Sequence, residues 1–259
     1  MLDSTSYLNY ITKNYSTSLE QAGASASARQ ATAYFLANIG NVKTIDQLLN
    51  NSRLYNYVMN AYGLADMINA KGEVKQVLEG GVSNSKALAN TLNNAQLKAL
   101  ATAFNFVANG TATTSSTSLQ QQTVQGYEQQ ALETQVGQNS PAVQMALYFK
   151  SQVSNITSAY NILADKTLLQ VVETAYNLPQ TLSLEGIDTQ AQEINNVLKI
   201  SDLQNPQKLQ NFLDRFTSVY DAQNQTDGPT TPSSAMQVTS PGISQDLLLS
   251  LANLKLGGS

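Results

Sequence analysis

Apolar positions recur along the chain at a helical interval. Leu54, Val58, Ala61 and Tyr62 fall on one face, at a spacing of about 3.6 residues per turn. Leu168, Val172, Ala175 and Tyr176 repeat that face, and Leu97, Leu100 and Phe104 form another. No segment sustains an apolar/polar alternation enriched in β-branched residues, so strands are not expected. The ends of the expected helices carry the residues that satisfy orphan backbone groups. Thr44 and Gln47 have capping-box spacing, in which the hydroxyl and the amide each reach a free backbone N–H. Asn51 and Asp165 precede the Leu54 and Leu168 helices as N-caps. Ser140-Pro141 reads as a cap and first helical residue, and Gly80-Gly81 as a helix end.

The pattern also repeats over a longer interval. Sliding the chain along itself by 114 positions (144 − 30) sets Gln30 on Gln144, Tyr34-Phe35 on Tyr148-Phe149 and Ile39 on Val153. In the same register Leu48-Leu49 meets Ile162-Leu163, and Ala61-Tyr62 meets Ala175-Tyr176. At 120 (193 − 73) Glu73-Val74 meets Glu193-Ile194, and at 113 (132 − 19) Leu19-Glu20 meets Leu132-Glu133. The fold expected is all-α, with two tandem, diverged helical repeat units packed as a pseudo-twofold helical array and a short C-terminal amphipathic helix. The first unit spans 1–109 and the second 119–222. Residues 110–118, GTATTSSTS from Gly110, are low in complexity and read as a flexible or extended linker. Residues 223–240, with Gly228, Pro229 and Pro232, read as a second linker. Residues 241–259 form the terminal helix, with Ile243, Leu247, Leu248, Leu251 and Leu254 as its stripe. The Gln-rich stretch from Leu119 to Val136 is a helix polar on most sides, suited to pairing with another helix or bridging parts of a structure.

Composition narrows the chemistry. The chain has no Cys and no His, so a disulfide framework, a thiolate metal site and the common general base are all excluded. Only 12% of its 259 residues are charged and the net charge is −4. Neither nucleic acid nor an anionic membrane is therefore expected as a partner. No apolar run has the length of about 20 residues that a spanning helix needs, and Met1 to Ser6 lack the pattern of a cleaved secretory signal. A soluble chain without membrane insertion is expected. No cofactor, metal site or small-molecule substrate is indicated.

The candidate sites are weak in chemistry. Glu73 and Glu193 could pair as acid and base across the repeat axis. First-turn glutamates favoured by the helix dipole explain them as well. The Ala61-Tyr62 and Ala175-Tyr176 pairs read as core packing with hydroxyls at a polar edge. Gly80 to Lys86 lacks the ending of a phosphate loop and follows no strand. The best candidate for partner binding is the terminal stripe Ile243, Leu247, Leu248, Leu251 and Leu254, carried behind a Pro/Ser/Thr tether.

Several blocks carry a family resemblance. They are Phe35-Leu36-Ala37-Asn38-Ile39-Gly40, Asp66-Met67, Ala103-Phe104-Asn105-Phe106, Ala146-Leu147-Tyr148-Phe149, the run from Ile156 to Asp165, and Leu213-Asp214-Arg215-Phe216-Thr217. Together they resemble the domain-of-unknown-function family 1217 of alphaproteobacteria, over nearly the whole chain. Genes of that family commonly sit in flagellar clusters, and the family offers no catalytic residues. The resemblance implies a non-enzymatic, flagellum-associated structural or assembly protein, exported without a cleaved signal or bound at the basal body. Its partners would be other flagellar proteins or copies of itself. The alternatives are a cytoplasmic chaperone or adaptor for flagellar subunits, and an enzyme with a carboxylate site at the repeat interface.

Overall fold

The computed structural model describes residues 3–92 and 94–224, and helices and turns make up this part, with no strand among the described residues. The terminal stripe from Ile243 to Leu254 and most of the 223–240 segment lie outside the described residues. The chain opens with α1 (Ser4–Lys13) and α2 (Tyr15–Gly23), which break at Asn14. A first group follows: α3 (Ala26–Asn38), α4 (Ile45–Asn50), α5 (Ser52–Ala61), α6 (Lys71–Gly80), α7 (Leu88–Thr91), α8 (Ala95–Ala103) and α9 (Phe106–Asn109). The long α10 (Thr117–Gly137) leads to a second group. This consists of α11 (Pro141–Gln152), α12 (Ala159–Leu163), α13 (Lys166–Tyr176), α14 (Ile187–Val197) and α15 (Pro206–Asn224).

The caps read from the residues explain several starts. The Asn51 carboxamide accepts from Leu54 N at 3.1 Å, and Asp165 accepts from the amides of Thr167 and Leu168 at 2.9 and 3.0 Å. Ser140 accepts from Val143 N at 3.2 Å. Thr44 accepts from Gln47 N, while the Gln47 amide reaches one residue further back than a capping box requires, to Lys43 N. Gly81, with φ +60°, closes α6 in a conformation an L side chain rarely adopts.

Two separate apolar cores hold these helices. Phe35, Ile39, Leu54, Val58, Val74, Leu100 and Phe104 belong to the first, and Val143, Phe149, Ile162, Val172, Ile194, Leu213 and Phe216 to the second. Both groups contain a 3₁₀ turn that directly follows their first helix. The turn is Ile39–Asn41 after α3 and Val153–Asn155 after α11. In each group a tyrosine hydroxyl bonds a helix-cap residue. Asn51 Nδ2 donates to Tyr34 Oη at 3.2 Å, and Tyr148 Oη donates to Asp165 Oδ2 at 2.5 Å. Tyr62 packs edge-on against Phe104, whereas Tyr176 stacks on Phe212, each with centroids 5.9 Å apart.

The core boundaries differ from the expected unit boundaries. Leu8 and Ile11 of α1 are buried in the second core. The Ser4 backbone N–H and hydroxyl donate to Asp221 on α15 at 2.8 and 2.6 Å, and Asn9 donates to Asp214 at 3.2 Å. Residues 1–109 are therefore not one self-contained core, because the apolar stripe of α1 is covered by α11 and α15 rather than by its chain neighbours.

The expected linker at 110–118 is also different. Residues 110–115 form a 3₁₀ turn and α10 begins at Thr117. Thr113 and Thr114 are buried, and the Thr114 hydroxyl donates to Val42 O at 2.6 Å. Threonine, polar in composition, serves here as a core residue whose hydroxyl satisfies a backbone carbonyl.

Helix α10 joins the two cores, a role its polar surface makes possible. Leu119 packs in the first core, Leu132 and Val136 in the second. Between them Tyr127 stacks on Tyr57 at 4.1 Å, and Tyr57 on Phe35 at 4.5 Å. Gly126 lies against the end of α5, where a Cβ would run into the Ala61 carbonyl oxygen. A glycine inside a helix costs about 1 kcal/mol relative to alanine. Here it allows the two helices to approach.

Candidate functional site

An open cleft of about 1430 Å³ lies between the two cores. One wall comes from the α5–α6 connection and from α8, the other from α11 and the start of α13, with α10 contributing Gln130 and Glu133. Amide and hydroxyl side chains, among them Gln96, Gln122, Gln144, Gln152, Asn94 and Asn161, share the lining about evenly with apolar groups such as Leu64, Met67, Met145 and several alanines. Asp66, Glu133 and Asp165 supply the acids, Lys98 and Lys166 the bases.

Gln96 ties the walls together. Its Nε2 donates to Tyr148 Oη, and to Asp165 Oδ2 at 3.3 Å. Asp165 Oδ1 is meanwhile engaged by the first amides of α13. Burial first, then the neighbouring Asp165, pushes the Tyr148 phenol far above its ordinary range. Tyr148 therefore stays protonated and acts as a hydrogen-bond donor. This triad joins two cores and caps a helix, leaving neither oxygen of Asp165 without a donor.

Glu133 has a different environment. It is 3% exposed, and among the described residues its one hydrogen bond comes from Gln129 Nε2, at 3.1 Å. No Lys or Arg forms an ion pair with it among the described residues. Burial pushes its carboxyl up to about 7, against an opposing pull from the Gln129 hydrogen bond. At the cleft floor a smaller recess of about 180 Å³ is lined by Glu133 with Gln129, Gln130, Gln96, Tyr148 and Tyr62.

Residues 61–209 match the family described as "Protein of unknown function (DUF1217)". The chain belongs to the DUF1217 family. The matched span of this DUF1217 protein takes in both walls of the cleft and all of α10. The fold is also similar to the X-ray crystal structure of a protein from Agrobacterium tumefaciens solved by structural genomics. The two share 34% sequence identity and a TM-score of 0.77, over 85% of this chain and 93% of that one. No curated protein matches this DUF1217 chain.

The residues singled out from the sequence are not those at the cleft floor. Glu73 and Glu193 are both exposed and line neither the cleft nor its recess. Glu73 lies in the first turn of α6, as the helix-dipole reading expects, but Glu193 lies well inside α14. Tyr62 and Tyr176 pack on core aromatics, and Tyr62 also borders the recess. The terminal stripe lies outside the described residues. Glu133 was overlooked as a site because it sits in a Gln-rich polar helix. The available signal was its place one turn before Val136 and beside Leu132, on the buried side of that helix.

No helix among the described residues is long and apolar enough to cross a membrane. No three acidic side chains among them gather in a way that could hold a metal ion.

Proposed function

We propose that this DUF1217 protein is a non-enzymatic structural or assembly component of the bacterial flagellum that acts through protein–protein contacts. The observation that carries the binding part is the cleft, an open trough whose walls mix amides and hydroxyls with small apolar side chains. Side chains that both donate and accept suit the alternating N–H and C=O groups of a polypeptide segment. The phenol–carboxylate pair in the cleft is committed to a helix cap and a cross-core bond, which favours binding over catalysis. The flagellar part rests on the gene neighbourhoods that the family resemblance implies. By its sequence pattern the stripe Ile243, Leu247, Leu248, Leu251 and Leu254 is the candidate second contact surface.

In the same reading the two helical groups are diverged copies of one unit, related by a pseudo-twofold axis. The recurring elements and the paired Tyr34–Asn51 and Tyr148–Asp165 contacts support it. Helix α1 on the second core and the first half of α10 on the first core are then equivalent helices exchanged between the copies.

Deleting the gene from a motile strain is expected to impair swimming and filament formation. Normal filaments and normal swimming would refute the proposal. The open cleft also suits transient capture of a client segment, as in a cytoplasmic chaperone or adaptor. Fractionation separates the two, since a structural component appears in the medium or in purified basal bodies and a chaperone stays in the cell. An enzymatic reading would draw on Asp66, Glu133 and Asp165 in the cleft. It ranks last because Tyr148 retains its proton and Glu133 faces amides.

A further inference from the structure

A carboxylate removed from water is costly unless a cation or a full set of hydrogen bonds replaces its hydration. Glu133 has one donor, Gln129, and no cation among the described residues, yet it lines a recess open to the cleft. The rest of that recess mixes Ala and Gly with amides and hydroxyls that can accept as well as donate. Gln129, Gln130 and Gln96 carry amide oxygens, the Gln152 oxygen already accepts from Asn155 Nδ2, and Tyr62 lines the border. A planar cation with several N–H donors matches this set. Two of its donors would meet the carboxylate, others the amide oxygens, and its face would meet a ring. A compact ammonium would leave more of these acceptors unused. The net charge of −4 adds a weak general attraction for a cation.

We propose that the recess at Glu133 is a binding site for a guanidinium cation. The cation comes either from an arginine side chain on a polypeptide or from a free guanidino compound, and the chemistry of the site is the same for both. The site stands whether or not the protein works in a flagellum.

Calorimetric titration of the full chain at pH 8 tests it. The probes are a short arginine-containing peptide, its citrulline and lysine counterparts, and N-acetyl-arginine amide as the free guanidino compound. Saturable binding of the arginine probes is expected, with the citrulline peptide at least about thirtyfold weaker, as for loss of one partner of a buried charged pair. Glu133→Gln keeps the shape and the Gln129 contact, so it should fold and should lose binding to a similar extent. Glu73→Gln removes an exposed carboxylate elsewhere and should bind as the parent does. A peptide that binds more tightly than N-acetyl-arginine amide identifies a polypeptide source, and equal affinity identifies a free guanidino compound. No saturable binding by either arginine probe, equal binding of the citrulline peptide, or undiminished binding by a folded Glu133→Gln variant would overturn the proposal.

Discussion

Burial of Glu133 makes the stability of this protein depend on pH in a way one substitution can isolate. In the unfolded chain the carboxyl titrates at its ordinary value of 4.5, and in the fold burial raises it to about 7. A raised carboxylate favours the protonated form of the folded state. Its contribution to stability is therefore full below 4.5 and is lost as pH rises through about 7. The difference corresponds to about 3 kcal/mol, a large fraction of the roughly 5–15 kcal/mol that holds a typical domain. Tyr15 from α2 and Tyr148 from α11 also feel this charge, but burial keeps both phenols protonated throughout that window. Glu133→Gln retains the acceptor for Gln129 and cannot ionise. Urea unfolding from pH 4.5 to 8.5 should show the parent losing about 3 kcal/mol relative to the variant. The variant should be the more stable of the two at pH 8. Parallel curves for parent and variant would refute the reasoning, because they would mean that Glu133 meets the same environment folded and unfolded.

Two further substitutions probe the helix contacts. Gly126→Ala pushes a Cβ into the Ala61 carbonyl oxygen, a backbone atom that cannot swing aside. A net loss of about 1–2 kcal/mol in urea unfolding is expected, overpacking outweighing the gain in helix propensity. Gly137→Ala meets only the movable Gln144 side chain and should cost less. Asp165→Ala removes the α13 cap and the acceptor for Tyr148, and should cost about 2–3 kcal/mol in the same assay. Asp165→Asn, the residue type that caps α5 as Asn51, should cost less than half of that.

Much of the local structure was legible in the residues. Asn51, Asp165, Ser140 and Gly81 mark helix boundaries because each acts through its own side chain or its own φ on neighbours in the chain. The faces Leu54–Val58, Leu168–Val172 and Leu97–Leu100–Phe104 are buried as their period requires. The misreadings concern residues whose partners are distant. Thr114 resembles linker until Val42 O comes within reach of its hydroxyl. The stripe of α1 does not state which core it covers. Glu133 resembles any polar-helix glutamate until α2 and α11 pack against α10 and bury it, and the cleft floor is made of such residues.

The sequence alone therefore determined the helical class, the caps and the family blocks. These follow from periodicity and from interactions within a turn or two. Only the tertiary structure decided that α1 crosses to the second core, that Gly126 serves a close helix approach, and that Gln96, Tyr148 and Asp165 meet across a cleft. The physical reason is that desolvation and hydrogen bonding across a long sequence separation depend on which surfaces pack together. No single segment of the chain carries that information.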